Sequence, residues 1–223
     1  MTREDVFPSG EPSPISESIL SAVRVVLYEP QDPVNIAATI RAMKNMGCPN
    51  LYLVRSVQYD PWRLEGIAHD TADIIERIRN FDTIEEALEG AVRVAGFTAR
   101  RRAAKRDLNT PRSVSGELLE FAGQGPVAIL FGREDKGLPN EILDRAHIVV
   151  TIPTTEHASL NLAQAVLIAL YELHLSAADS TRKFAPPRKD APPATAEEYE
   201  QLFADTERAL YAIDFFKTRF HEH

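Results

Sequence analysis

Five short apolar runs, Val23–Tyr28, Leu51–Val54, Val92–Thr98, Val127–Phe131 and Ile148–Ile152, recur along the chain with longer amphipathic stretches between them. This alternation limits the possible folds more tightly than any other feature of the sequence. Runs of Val, Ile, Leu and Phe without polar alternation predict strands buried on both faces. The stretches between predict helices at Pro33–Met46, Trp62–Arg79 (broken), Thr83–Glu89, Ser113–Ala122 and Asn140–Arg145, and a last core helix over Ser159–Ser176. Strand–helix alternation of this kind predicts an α/β fold, a mostly parallel sheet with helices on both faces. Asp32-Pro33 supplies an N-cap acceptor followed by proline at the first helical position, where its missing N–H costs nothing. Ser159 is the matching candidate cap for the last core helix. That helix is apolar almost all round from Leu160 to Leu173, which predicts deep burial.

Residues 1–20 read as a flexible lead-in, 21–176 as the α/β domain, 177–193 as a linker and 194–223 as a helical extension. The linker follows from four prolines and four basic residues between Arg182 and Pro193. Beyond it, Tyr199, Leu202, Phe203, Thr206, Leu210 and Ile213 fall on one face of a helix expected over Ala194–Ile213. The single cysteine, Cys48, excludes an internal disulfide. Met1 to Pro14 is polar and proline-rich, unlike a secretory leader. The most apolar stretch, Leu160–Leu175, is broken by Asn161, Gln164, Glu172 and His174, so it does not read as a membrane span. Together these give a cytoplasmic protein as the expectation.

The net charge of −8 disfavours a protein that coats nucleic acid indiscriminately. A docking surface responds to the local field, however. Arg100, Arg101, Arg102, Lys105, Arg106 and Arg112 lie within thirteen residues, opposed only by Asp107. Such a segment fits either a loop that docks one folded RNA or a solvated loop without a partner.

Three clusters carry chemistry. The first is Asn35-Ile36-Ala37-Ala38-Thr39-Ile40-Arg41-Ala42-Met43-Lys44-Asn45-Met46-Gly47, after the first strand. The second is Phe131-Gly132-Arg133-Glu134-Asp135-Lys136-Gly137-Leu138-Pro139, after a buried strand. The third is Ile152-Pro153 with Ser159-Leu160-Asn161. In an open α/β sheet, ligands collect beyond the carboxyl ends of the strands, where all three would lie. Each alone also has a plain structural reading, as first-turn residue, turn glycine or helix cap. No G-x-G-x-x-G follows the first strand, and Gly132 to Gly137 leads into Leu138 rather than Lys-Ser/Thr, so neither a dinucleotide nor a phosphate-loop signature is present. The six histidines and one cysteine show no metal-ligand spacing, so no metal is expected.

In residue type, order and separation, these clusters resemble the three motifs of the SPOUT (trefoil-knot) superfamily. The resemblance is to its TrmH-like RNA 2'-O-ribose methyltransferases, in the TrmJ-like branch, and runs from about Val23 to Leu175. It implies a C-terminal trefoil knot, which periodicity and composition do not show. It further implies an S-adenosylmethionine-dependent enzyme that methylates a ribose 2'-hydroxyl of tRNA, at cytidine or uridine 32 of the anticodon loop, and acts as a homodimer. By motif match, the cofactor loops are Phe97-Thr98-Ala99, Leu130 with Gly132, and Ile152 with Ser159, Leu160 and Asn161.

The same match gives Arg41, Asn35, Glu134, Ser159 and Asn161 as the catalytic set. Within it, Arg41 acts on the hydroxyl, Glu134 and Asn161 shape the pocket and position Arg41, and Asn35 and Ser159 hydrogen-bond in the same network. Arg100, Arg101, Arg102, Lys105 and Arg106 become the RNA-binding segment. The chain departs from the commoner pattern at Ala37-Ala38, at Thr39-Ile40 and at Phe97, none of which removes a reacting group. Methylation of rRNA or another tRNA position is the alternative reaction. A catalytically inactive RNA-binding member of the fold is the alternative from another class, disfavoured because Asn35, Arg41, Glu134 and Asn161 are present together.

Overall fold

A computed structural model of the chain describes residues 18–99, 109–177 and 195–215. The chain divides into two units, 1–180 and 181–223. In the first, the described residues build a six-stranded, all-parallel sheet from β1 (Val23–Tyr28), β2 (Asn50–Val54), β3 (Arg79–Phe81), β4 (Arg93–Phe97), β5 (Val127–Phe131) and β6 (Ile148–Val150). The spatial order is β3-β2-β1-β5-β4-β6. All five residues of the inner strand β5 are buried, as its uninterrupted apolar run predicted.

Strand periodicity divides the core into two layers. On one face Val23, Val25, Leu27, Ile129 and Phe131 pack with residues of α1 (Pro33–Met46), α5 (Pro111–Ala122) and α7 (Leu162–Ser176). On the other, Val26, Tyr28, Ala128 and Leu130 pack with α4 (Ile84–Leu88) and α6 (Asn140–Leu143). Each large side chain so buried contributes about 1.5–3 kcal/mol relative to exposure. Helix α7 packs against both α1 and α5, which buries Leu162, Ala163, Val166, Ala169, Leu170 and Leu173; the expected deep burial all round is corrected, since Leu167, Tyr171 and Leu175 are exposed.

Helix α1 starts and stops for local reasons. The Asp32 side chain accepts from Val34 N (2.9 Å), Pro33 opens the first turn, and Gly47 ends the helix at φ 76°, a left-handed position suited to glycine. The Trp62–Arg79 segment is broken, as expected, into two short helices, α2 (Pro61–Ala68) and α3 (Ala72–Ile75), but Arg79 opens β3 at the sheet edge and does not end a helix. Two further expectations are corrected. Helix α7 is capped by Asn161, whose Oδ1 accepts from Ala163 N (3.0 Å) and Gln164 N (3.3 Å), and not by Ser159. Arg112 sits in the first turn of α5 and not in a basic loop; its guanidinium grips Glu172 of α7 through Nε (3.1 Å) and Nη2 (3.0 Å).

The end of β6 lies between two distant parts of the chain. Thr98 N donates to Val150 O (3.0 Å), while Asn109 N donates to Val149 O (3.2 Å) and Thr151 N to Asn109 O (2.8 Å). Thr151 Oγ1 also donates to Thr98 O (3.0 Å). The chain leaving β6 is thus held between the two ends of the segment that carries Arg100 to Arg106, which itself lies outside the described residues.

In the second unit, α8 (Ala196–Ala212) begins at a capping box in which Thr195 and Glu198 exchange side-chain and backbone bonds. Its side chains are exposed, including Tyr199, Leu202, Phe203 and Tyr211, apart from the half-buried Leu210.

Candidate active site

Beyond the carboxyl ends of β4, β5 and β6, three loops enclose a cavity of about 350 Å3. Of the nine residues expected to hold a cofactor, seven line it: Phe97, Thr98, Ala99, Gly132, Ile152, Ser159 and Leu160. Asn161 stands just beyond, as the cap of α7. Leu130 does not reach it; its side chain is fully buried in the opposite core layer, because neighbouring strand residues face opposite ways. Phe97 and Phe131 stack at 4.5 Å between centroids and supply aromatic wall. Arg133, Asp135, Lys136 and Leu162 also line the cavity. The sequence placed the first three inside the second cluster but gave no reason to prefer them over their neighbours.

The second loop folds back on itself closely. Gly137 N donates to Arg133 O (2.8 Å), and a Cβ added at Gly132 would lie 2.1 Å from the Gly137 carbonyl carbon. Only glycine permits this approach. Arg133 pairs with Asp135 through Nε–Oδ1 (2.9 Å) and reaches Glu29 at 3.6 Å, and its guanidinium holds the Asp135 carboxyl below the ordinary carboxylate range. Glu29 also pairs with Arg55 (2.8 Å).

Beside the cavity, Glu134 accepts from Gln31 N (3.0 Å), Asp32 N (3.3 Å) and Asn35 Nδ2 (3.0 Å). This places a carboxylate at the N-terminal end of α1, where free amides and the helix dipole favour negative charge. Asn35 Oδ1 in turn accepts from Asn161 Nδ2 (2.8 Å). The chain Glu134–Asn35–Asn161 therefore ties together the β5 loop, the start of α1 and the start of α7. Residues 99 to 126 positions apart in sequence meet here.

Arg41 stands apart from that network. It is exposed on α1, it does not line the cavity, and its Nη1 donates to Ala68 O (3.1 Å) at the end of α2. Within one chain, no hydrogen bond among the described residues joins Glu134 or Asn161 to Arg41: the two fix the helix starts, and Arg41 rests on α2. The amides of Gln31 and Asp32 were missed by the sequence reading, which considers side chains.

The site can accommodate an organic ligand of moderate size. Its volume falls in the range of small-molecule pockets. Its lining combines apolar and aromatic residues, Phe97, Phe131, Ile152, Leu160 and Leu162, with both signs of charge on Arg133, Glu134, Asp135 and Lys136. These features suit the adenosine and sulfonium parts of S-adenosylmethionine.

A family model for the SpoU rRNA methylase family matches residues 22–171. The tRNA (cytidine/uridine-2'-O-)-methyltransferase TrmJ of Sodalis glossinidius is 36% identical over 200 residues, covering 89% of this chain and 78% of that protein. Among solved structures, a probable methylase family protein from Haemophilus influenzae Rd KW20 superposes with a TM-score of 0.68 at 31% identity, over 92% of this chain and 83% of that one. A protein studied for 2-OH methylation of C/U34 on tRNA gives 0.56 at 28% identity, over 72% and 97%. An AdoMet-bound rRNA methyltransferase from Sinorhizobium meliloti gives 0.53 at 26% identity, over 69% and 56%.

Proposed function

The chain belongs to the SpoU rRNA methylase family, with the architecture of the SPOUT α/β-knot methylases, and from that membership we propose that it methylates a ribose 2'-hydroxyl of tRNA from S-adenosylmethionine. The observation that carries the reading is the cavity at the ends of β4, β5 and β6, lined by loop residues that match the family's cofactor segments. The target proposed is cytidine or uridine at anticodon-loop position 32. The likeness to a protein that acts on C/U34 gives position 34 as the second reading.

Thr98, Gly132, Ile152, Ser159 and Leu160 would hold S-adenosylmethionine, which supplies an electrophilic methyl group. Glu134, Asn35 and Asn161 act by position, keeping the cavity rim and the two helix starts in register. A ribose hydroxyl is scarcely ionised at neutral pH, so the site must stabilise negative charge as it forms on the oxygen. A guanidinium does not give up its proton in proteins, which disfavours Arg41 as a base. Arg41 serves instead as a fixed cation that grips ribose oxygen and phosphate together. Because it does not line its own chain's cavity, we assign it to the cavity of a second copy in a homodimer. Arg100, Arg101, Arg102, Lys105 and Arg106 bind the RNA backbone, and the enzyme works in the cytoplasm without a metal.

Calorimetric titration of S-adenosylmethionine in the presence of a chelator tests the cofactor assignment. Saturable binding to one site per chain is expected, and absence of binding at millimolar cofactor would remove it.

A further inference from the structure

Trp62 is the chain's single tryptophan, and it is 82% exposed. Tryptophan is highly buried on average, so a nearly bare indole on an ordered helix calls for a partner. Helix α2 is firmly seated. Leu64 and Ala68 are fully buried in the main core layer, and Asp60 Oδ1 caps the helix through Trp62 N (3.0 Å). With that edge buried, helical periodicity turns Trp62 and Gly66 to solvent together. A Cβ at Gly66 would meet nothing within 4 Å, so open surface lies one turn along from the indole. Arg63 and Ile67 flank this strip on one side and Glu65 on the other, all exposed. At the far end of the same helix, Ala68 O accepts from the Arg41 guanidinium. Six residues separate Trp62 from Ala68, about 9 Å along the helix axis.

We propose that Trp62 is a stacking platform for an unpaired base of the RNA substrate, close along the strand to the nucleotide that Arg41 engages. The proposal rests on the methyltransferase reading above and adds a specificity surface to it. Single-stranded loops are recognised by splaying bases onto aromatic side chains, and stacking tolerates any base because each has a π face. Gly66 leaves space for the sugar of the stacked nucleotide, and Arg63 is within one residue to meet its phosphate. A second copy of this chain is the competing occupant. An indole bordered by Arg63, Glu65 and a glycine, with Ile67 as its one apolar neighbour on the helix, offers little of the contiguous apolar area that a stable subunit contact needs.

Trp62 is its own reporter. Titrating the wild-type protein with a tRNA anticodon stem-loop should quench its emission, saturating where methylation saturates, while S-adenosylmethionine alone leaves emission unchanged. Trp62→Ala should raise KM for the stem-loop about tenfold or more and Trp62→Phe less than about threefold, since phenylalanine still stacks. Turnover at saturating RNA, cofactor affinity and sedimentation should be unchanged in both variants. Unquenched emission in protein that methylates the stem-loop, or an unchanged KM in Trp62→Ala, overturns the platform. Dissociation of the dimer in Trp62→Ala also overturns it and makes the indole a subunit contact. Wild-type protein that binds no cofactor and methylates no tRNA overturns the methyltransferase reading instead, by measurements in which Trp62 takes no part.

Discussion

Replacing Gly132 with alanine should close the cofactor cavity from within. The added Cβ would lie 2.1 Å from Gly137 C, 2.2 Å from Leu138 N and 2.4 Å from Gly137 O, all backbone atoms. An ordinary carbon contact needs about 3.5 Å, so the two sides of the loop must part by more than about 1 Å. Two interactions resist that movement. The bond from Gly137 N to Arg133 O (2.8 Å) closes the loop, and Leu138 is anchored in the core at 1% exposure. Overpacking typically costs about 1–3 kcal/mol, and a lost backbone bond about 1 kcal/mol more. A destabilisation near 3 kcal/mol corresponds to a fall in Tm of roughly 6–12 °C for a protein of this size. Because Gly132, Arg133 and Gly137 all line the cavity, cofactor affinity should fall at least about tenfold, as a pocket wall moved by 1 Å no longer fits. Calorimetric titration and thermal unfolding of the same preparation give both numbers. A variant with wild-type cofactor affinity and a Tm within about 2 °C would refute the close-packed loop and its role as the cavity wall.

Arg41→Lys keeps the charge but loses the planar fork, so single-turnover methylation of saturating tRNA should fall about a hundredfold or more with cofactor binding intact; near-normal turnover would return Arg41 to a structural role. Asn161→Asp retains the oxygen that caps α7 but removes the donor to Asn35. Its thermal stability should stay within about 1 kcal/mol of wild type, while turnover drops roughly tenfold or more through loosened positioning; unchanged turnover would reduce Asn161 to a helix cap. Burial pushes the Cys48 thiol up to about 12 from an ordinary value of 9.0. The native thiol should therefore resist alkylation at pH 8 and react only on unfolding. The sign for stability follows: a folded-state pKa above the unfolded one leaves the contribution intact below pH 9 and erodes it between 9 and 12. Alkylation of native protein at pH 8 as fast as of unfolded protein would contradict this burial.

What the sequence disclosed depended on the range of the interaction. Pro33–Met46 was legible to the residue because its cap, its first-turn proline and its terminal glycine are all local. Five of the strands were legible because continuous apolar runs mark burial on both faces. Strand β3 was not, since Arg79-Asn80-Phe81 is short and lies at an edge with two of its residues exposed. Its support is tertiary: the Arg79 guanidinium covers the Tyr52 ring at 5.2 Å, and Asn80 Nδ2 donates to Tyr59 OH (2.8 Å). At the site, residue types and order pointed to Asn35, Glu134 and Asn161, but their partners could not be read. Ser159 was read as the cap of the last core helix, but the helix starts two residues later and Asn161 caps it, a boundary that the local sequence does not mark. The motif match placed Glu134 at the site, but its partners, three N–H donors at the start of α1, lie in backbone and side-chain groups that only the fold brings to it.

Methyl transfer to a ribose oxygen is the activity to measure first. Purified protein should be incubated with labelled S-adenosylmethionine and, separately, total tRNA and rRNA, followed by nucleoside mass spectrometry and mapping of the modified position. The expected product is 2'-O-methylcytidine or 2'-O-methyluridine in the anticodon loop of tRNA, at position 32. Label confined to rRNA or to a nucleobase, or no label in RNA from cofactor-bound protein, would contradict this expectation.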